Sequence, residues 1–175
     1  MIVPGIQFLC GIILYYICHI PYINLEYEML MSELPELLSF PMMIYLFFIG
    51  PIAEEIIFRG VILCVIKNTY GILGASVVQA LLFGIYHMNF YQACYAIILG
   101  LILAYVMQKT GNLVYSMFLH VMFNIWGNYE EIILKKIYNE ALNEIAIIFV
   151  MMIFLVIGIK VIERESKERN SVNAK

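Results

Sequence analysis

The chain has 175 residues, of which 63% are hydrophobic and only 13% are charged, and its net charge is −3. A typical soluble domain is about half apolar and about a quarter charged, so this chain has too few charges to cover a water-facing surface. The composition argues against a soluble enzyme and a disordered tail, and the acidic balance argues against a nucleic-acid binder. What remains is an integral membrane protein.

Six apolar runs follow one another along the chain, and a membrane-spanning helix needs about 20 apolar residues. The first run has no basic n-region and no small-residue cleavage site, which predicts a retained spanning helix rather than a signal peptide. We therefore predict an all-α, polytopic transmembrane bundle of about six spanning helices, forming a single membrane domain over residues 1–175. The runs cover 2–23, 41–66, 71–88, 91–108, 112–127 and 142–162.

Polar segments separate these runs and suggest their orientation. Residues 24–39 carry four Glu among Leu and Met, which predicts an interfacial amphipathic segment or a loop. Residues 128–144 pair Glu with Lys four positions apart, which predicts a helical extension or an interfacial turn. Seven of the ten basic residues flank alternate loops or lie near the C-terminal end. The positive-inside rule then places both termini, including the polar tail 163–175, in the cytoplasm.

Two residue types limit the chemistry. All 13 acidic residues are Glu, so a Ser-His-Asp triad, an aspartyl protease site and an Asp-based metal site are excluded. The four cysteines lie in apolar runs without a CxxC pair, which predicts buried free thiols that behave as small hydrophobic residues. They are Cys10, Cys18, Cys64 and Cys94.

Three charged residues lie close together in the second apolar run, in the sequence PIAEEIIFRG. A charge at mid-membrane costs on the order of 3 kcal/mol on insertion scales, so such residues persist when they are paired or functional. Glu55 and Arg59 are four residues apart and share a helix face, which predicts an ion pair. Glu54 projects about 100° away from Glu55 and must face something else. A carboxylate without a partner in a low dielectric takes up a proton more readily than in water, as a general base must.

Pro51 precedes these charges in the same run. Because proline has no N–H, it predicts a kink or a new helix start, with a carbonyl near Phe47 left without its helical partner. Kinked spanning helices often border a cavity in which such polar groups find partners. The alternative is that both Glu residues only make hydrogen bonds that fix the helix register.

Two histidines and an asparagine lie in later apolar runs. His87 ends one run, and His120 and Asn124 are four residues apart in another, so the latter two share a helix face. A carboxylate and an imidazole can together hold and deprotonate a water, and a second imidazole and an amide can donate to an oxyanion. No Ser or Cys nucleophile belongs to this pattern, so it favours amide hydrolysis by direct water attack. We predict a structural role for His19. We predict interhelical hydrogen bonds for Gln7, Gln79 and Gln92.

Three motifs in order now resemble a known family, the CPBP intramembrane proteases, which comprise CAAX proteases and bacteriocin-processing proteases and are also called the Abi family. The motifs are Glu54-Glu55-x-x-x-Arg59, Phe83-x-x-x-His87 and His120-x-x-x-Asn124, within a motif-bearing core of about 40–127. The resemblance implies a membrane-embedded glutamic-type endopeptidase that needs no cofactor and no metal.

The resemblance also implies a role for each motif residue. Glu54 and His87 would activate the water, and His120 and Asn124 would form the oxyanion site. Three residues would support them: Glu55 and Arg59 as an ion pair, and Phe83 packed beside His87. The implied partners are a peptide or protein substrate and the lipid bilayer of a bacterial cell membrane, with no nucleic acid.

Several alternatives stay open at this point. The substrate could come from CAAX-type processing, bacteriocin or peptide processing, or self-immunity, and the oligomeric state and the side to which the site opens are undetermined. Glu54, His87 and His120 could instead hold a catalytic metal with an open water position. A non-catalytic binding or immunity protein is the third reading, and intramembrane charges also occur in transporters.

Overall fold

The computed structural model describes residues 2–17, 24–26, 28–29, 32, 39–138, 153, 156–164 and 166–167. Within these ranges the chain is helical and contains no strand, which confirms the predicted all-α class. The α-helices are α1 (Ile2–Ile17), α2 (Phe40–Ile44), α3 (Gly50–Glu55), α4 (Leu63–Tyr86), α5 (Phe90–Thr110) and α6 (Leu113–Tyr138). Two π-helical segments, Tyr45–Ile49 and Ile56–Ile62, connect α2 to α3 and α3 to α4.

The chain from α2 through α4 forms a helical hairpin. Gly71 lies inside α4 with φ 67° and ψ 177°, a left-handed backbone angle that glycine adopts without steric cost. The two sides of this position pack against each other, because Leu63 and Ala75 belong to one buried cluster. The rings of Phe58 and Phe83 also lie 5.0 Å apart, in an edge-to-face contact. The second arm of the hairpin, after Gly71, therefore runs back along the segment that carries the charged motif.

The second arm and α5 pack closely through small residues. A Cβ added at Gly100 would lie 3.1 Å from the Cα of Ala80, and one at Gly84 would lie 2.6 Å from a side-chain atom of Ile97. Ala96 is fully buried in the same region. Glycine and alanine allow two helix backbones to approach each other in a membrane, where close packing replaces the hydrophobic effect as the driving force.

The turn between α4 and α5 is held by acidic and amide side chains. Met88 has φ 54°, and Asn89 then caps α5 by accepting a 2.9 Å hydrogen bond from the backbone N–H of Gln92. Glu26 accepts backbone hydrogen bonds from Phe90 at 2.7 Å and Tyr91 at 3.1 Å, and a carboxylate is favourable at a helix N-terminus. The acidic segment 24–39 was predicted only as an interfacial segment or loop, and this contact ties its start to the turn that follows His87.

A second core forms where α1 packs between α5 and α6. Its buried members are Val3, Ile6 and Cys10 from α1, Leu99, Leu103 and Val106 from α5, and Leu119 and Phe123 from α6. Of the three described cysteines, Cys10 is buried and Cys64 and Cys94 are partly buried. Cys18 lies outside the described residues.

The described helices differ in how well they fit a bilayer. Phe90–Thr110 is the one helix in this part of the chain that is both long and apolar enough to cross a membrane, while Val3–Leu14 and Leu113–Gly127 are shorter apolar stretches. Large apolar side chains are exposed, among them Leu73 at 79% and Phe40 at 76%. The predicted run 142–162 lies mostly outside the described residues, so the six spans and the cytoplasmic termini stay predictions.

Candidate active site

The ion pair expected between Glu55 and Arg59 is present and fully buried. Nη1 of Arg59 lies 2.8 Å from Oε1 of Glu55, and both side chains have no exposed surface. Glu55 ends α3 and Arg59 lies in the second π segment, so one helical turn presents both groups to the interior. An ion pair without contact to water is stable only when further hydrogen bonds satisfy its remaining polar atoms.

His120 supplies one of these hydrogen bonds from α6. Its Nδ1 lies 2.9 Å from Oε1 of Glu55, and a carboxylate can only accept, so Nδ1 carries the hydrogen. The other ring nitrogen, Nε2, then faces Glu54, whose Oε2 lies 3.7 Å away. His120 therefore bridges the two neighbouring carboxylates. The side chain of Glu55 is fully buried, and that of Glu54 keeps 19% of its surface exposed.

Arg59 continues the network in the opposite direction. Its Nη2 donates at 3.4 Å to the backbone carbonyl of Gly100, in the middle of α5. The same carbonyl accepts a 2.8 Å hydrogen bond from Nε2 of Gln79, on the second arm of α4. The interhelical hydrogen bond predicted for Gln79 is thus confirmed. The interhelical hydrogen bond of Gln92 stays a prediction.

Phe83 forms a platform that both imidazoles share. Its ring is fully buried and lies 4.8 Å from the ring of His87 and 5.7 Å from that of His120, in nearly perpendicular contacts. The guanidinium carbon of Arg59 lies 4.5 Å from the centre of the same ring, within the range of a cation–π interaction. One aromatic side chain therefore fixes the positions of two candidate catalytic histidines and of the arginine.

The orientation of His87 follows from its own helix. Nδ1 of His87 lies 2.8 Å from the carbonyl oxygen of Phe83, and a carbonyl can only accept. Nδ1 therefore holds the hydrogen, and Nε2 carries the lone pair when the ring is neutral. In the part of the chain that the structure describes, no direct hydrogen bond joins Glu54 to His87, although the two are close enough to interact electrostatically.

Asn124 lies one turn after His120 and contacts the first π segment. Its Nδ2 donates at 3.1 Å to the carbonyl of Leu46. This carbonyl lacks a helical partner for two reasons: the N–H of Gly50 bonds to Tyr45 instead, and residue 51 is proline. The carbonyl predicted near Phe47 is thus that of Leu46. Pro51 is the second residue of α3, which begins directly after the first π segment and continues it with helical backbone angles.

Six helical segments therefore contribute a group to the site: the first π segment, α3, the second π segment, α4, α5 and α6. The structure connects Glu54, Glu55, Arg59, Phe83 and His120 through a series of pairwise contacts, and the ring of His87 packs against the ring of Phe83. Asn124 is anchored beside them. Sequence reasoning missed the carbonyl of Gly100, because a backbone group on a glycine leaves no chemical signal in the sequence. Among the described residues, no group of three or more His, Cys or Glu side chains is arranged to hold a metal ion.

One comparison with known proteins gave a match. The family model of the type II CAAX prenyl endopeptidases, Rce1-like, matches residues 36–126. The matched range contains all seven residues of the three motifs and ends within α6. Comparisons with curated proteins and with solved structures found no match.

Proposed function

The chain belongs to the Rce1-like family of type II CAAX prenyl endopeptidases, and from this premise we propose that it cleaves a peptide bond with a water activated by Glu54 and His87. Membership makes the chain a membrane protease of the CAAX type with a peptide or protein substrate at the membrane. The observation that carries the finer proposal is the pair of carboxylates bridged by His120, one accessible and one fully buried.

The different exposure of Glu54 and Glu55 indicates which of the two can act as the general base. Glu55 has both a cation and an imidazole N–H on one oxygen and no contact with solvent, so it cannot reach a water or a substrate. Glu54 keeps part of its surface exposed, and among the described residues its side chain makes the 3.7 Å contact with His120 but no shorter hydrogen bond. A general base must lie within hydrogen-bond reach of the proton that it removes, and of the two only Glu54 satisfies this condition.

His87 completes the water-activating pair. Its Nδ1–H is held by the Phe83 carbonyl, so Nε2 is the nitrogen that can accept or return a proton. Because Glu54 and His87 interact without a direct hydrogen bond, a water between them is the group that would join them. A carboxylate and an imidazole that share one water can divide the proton between them during attack.

His120 is suited to stabilising negative charge on the substrate. Its Nδ1–H is engaged by the buried Glu55, as a triad histidine is engaged by its carboxylate, and this bond holds the ring with Nε2 toward Glu54. A doubly protonated His120 directs its Nε2–H to the side of Glu54. Two carboxylates, Arg59 and this imidazolium would then form a neutral cluster, which lowers the cost of keeping the charges out of water.

The reaction can be written with these groups. The water oxygen attacks the carbonyl carbon of the scissile amide while Glu54 and His87 take its proton, and the carbonyl oxygen becomes an oxyanion. The Nε2–H of His120 and an amide N–H of Asn124 donate to that oxyanion. The C–N bond then breaks, and the leaving amine takes the proton from the base. Donation by Asn124 requires its second N–H or an exchange of the Leu46 bond.

The surface around His87 favours an apolar substrate segment. Four large side chains next to the α4–α5 turn are largely exposed: Ile85, Tyr86, Met88 and Phe90. A lipid-modified or hydrophobic C-terminal peptide would contact these side chains when its scissile bond reaches Glu54. This supports CAAX-type peptides as the first substrates to test, with bacteriocin-type peptides as the second class.

Cleavage in liposomes tests the proposal. Purified protein is reconstituted with fluorogenic CAAX-type peptides, prenylated or unprenylated, and with a bacteriocin-type peptide. We expect the wild type to cut at least one of them and Glu54→Ala to lose the activity by at least about 100-fold. Glu163→Ala is the matched control, because it removes a carboxylate near Tyr105, far from the site. Undiminished cleavage by Glu54→Ala would contradict the proposal.

The same preparation separates the remaining readings. Activity that a chelator abolishes and zinc restores would establish the metal-dependent alternative. A Glu54→Ala protein that still confers a cellular phenotype would favour a binding or immunity role. We expect the chelator to have no effect and the phenotype to disappear with the carboxylate.

A further inference from the structure

The carbonyl of Gly100 receives two side-chain donors from two different elements. Nε2 of Gln79 donates at 2.8 Å, and Nη2 of Arg59 donates at 3.4 Å. Both side chains are fully buried. The missing side chain of Gly100 makes this meeting possible, because a Cβ there would lie 3.1 Å from Ala80 on the arm that carries Gln79.

Beyond Arg59, the contacts lead in single steps to the accessible carboxylate. Arg59 bonds Glu55 at 2.8 Å, Glu55 bonds His120 at 2.9 Å, and His120 faces Glu54 at 3.7 Å. Apart from these hydrogen bonds, Arg59 is positioned by the ring of Phe83, which contacts the face of its guanidinium group. A shift of the Gly100 carbonyl therefore moves Arg59, and through Arg59 it moves the pair formed by Glu55 and His120.

This network contains more buried polar atoms than its hydrogen bonds satisfy. Oε2 of Glu55, Nε of Arg59 and Oε1 of Gln79 are buried without a hydrogen-bond partner in the described part of the chain. A buried polar atom without a partner lowers stability, most of all when it is charged, so a purely structural contact would be better made by apolar side chains. The cost favours a role for Gln79 in holding the charged groups in one arrangement.

We propose that Gln79 is a positioning residue of the active site, which acts through the Gly100 carbonyl to fix Arg59, Glu55 and His120. This inference rests on the proposed function. Gln79 touches neither Glu54 nor His87, and it contributes one neutral N–H that holds the second arm of α4 against α5 at the level of Arg59. Without that bond, the carbonyl and the guanidinium can separate, and His120 loses its fixed direction toward Glu54.

Gln108 offers a matched control on the same pair of helices. Its Nε2 donates at 2.6 Å to Oγ of Ser76 and at 3.3 Å to the carbonyl of Ile72, so it also joins α5 to the second arm of α4. It does not contact Arg59 or Gly100. Replacing either glutamine by methionine keeps the side-chain length and removes one interhelical donor. Only the replacement of Gln79 affects the hydrogen bonds that connect Gly100 to Arg59.

Kinetics and spectroscopy on the two variants test the inference. We expect Gln79→Met to lower kcat about 10- to 100-fold with KM within about twofold, because positioning acts on the transition state and not on substrate binding. We expect Gln108→Met to keep wild-type kcat. In ¹⁵N-histidine-labelled protein, the Nδ1 signal of His120 should shift in Gln79→Met and stay unchanged in Gln108→Met. Wild-type kcat in Gln79→Met, or equal losses in both variants, would overturn the inference.

A second variant tests the positioning role of Gln79 if Gln79→Met fails to fold. Gln79→Glu keeps the size of the side chain, and its protonated form can still donate to the Gly100 carbonyl. Its ionised form draws Arg59 away from Glu55, so its kcat relative to wild type should fall as pH rises. A ratio that is constant with pH would overturn the inference. If Glu54→Ala still cleaves peptide, the proposed function fails, and the His120 signal continues to test the positioning by Gln79.

Discussion

Glu54 and Glu55 are neighbours in sequence and have opposite surroundings. Glu55 is closed off by Arg59 and His120 on one oxygen, and Glu54 remains accessible on the other side of the same imidazole. One of two adjacent carboxylates can therefore have a structural role while the other is available for chemistry, without any further acidic residue. The buried one supports the cation and contacts His120, and in the proposed reaction the accessible one acts on water.

This division predicts different costs for two conservative substitutions. Glu55→Gln leaves the Arg59 charge buried without an anion, which should lower the free energy of unfolding by about 3–5 kcal/mol. Glu54→Gln removes no short hydrogen bond, so it should cost less than about 1 kcal/mol and still abolish cleavage. Equilibrium unfolding in detergent micelles measures both. Equal destabilisation by the two variants would contradict the assignment.

At the residue scale, the sequence predicted contacts between residues close together in the chain and missed contacts between residues far apart in it. The Glu55–Arg59 pair follows from a spacing of four residues on a helix, and the packing of Phe83 beside His87 was implied by the family resemblance. No spacing relates Glu55 to His120, which is 65 positions away. The meeting of Gln79 and Arg59 on the Gly100 carbonyl depends on how closely two helices approach, which the residues of either helix alone do not determine.

The elements that carry the site are irregular helices. Two π segments flank α3, and the first of them leaves the Leu46 carbonyl to Asn124 on α6. Extra residues in a helical turn occur often at functional sites, because they redirect side chains and release backbone groups. The apolar pattern of residues 41–66 predicts a helix but not its hydrogen-bond register, so the position of Pro51 predicted a kink or a new helix start but not the π segment before it.

A pair of substitutions tests the role of this irregularity. Asn124→Ala removes the partner of the Leu46 carbonyl and should lower the free energy of unfolding by about 1 kcal/mol. Pro51→Ala introduces an N–H that can reach the same carbonyl in the π register, so the double variant should recover most of that stability. We expect it to remain inactive, because the oxyanion donor is still absent.

Unfolding and cleavage are measured on the same four proteins in this cycle. If the double variant regains activity together with stability, Asn124 serves only to anchor α6, and the proposed oxyanion role is wrong. The two readouts thus separate the positioning of the helix from the donation of a hydrogen bond during the reaction.

At the scale of the whole molecule, the hairpin arm after Gly71 sets the depth of the site. Residues 72–86 span about 22 Å at 1.5 Å per residue, and His87 follows directly at the far end from Gly71. With both termini cytoplasmic, Gly71 would lie near the cytoplasmic face and His87 near the outer face. The all-α class could be predicted from composition, because a chain with so few charged residues is suited to a lipid bilayer rather than to water.

Cysteine labelling in intact cells tests this orientation. In a background without the native cysteines, Asn68→Cys and Met88→Cys place exposed thiols at the two ends of the arm. We expect a membrane-impermeant reagent to label position 88 from outside and position 68 only after permeabilisation, as the positive-inside rule requires for the neighbouring Lys67. The reverse pattern would place both termini outside and open the site to the cytoplasm.

The central claim is that Glu54 and His87 act together on a single water, and a double-mutant cycle on peptide cleavage tests it most directly. If Glu54 and His87 act as one unit, removing either one removes the contribution of both, so Glu54→Ala, His87→Ala and the double variant should all reduce kcat by a similar factor of at least about 100. Substantial activity in either single variant, or losses that multiply in the double variant, would contradict the account.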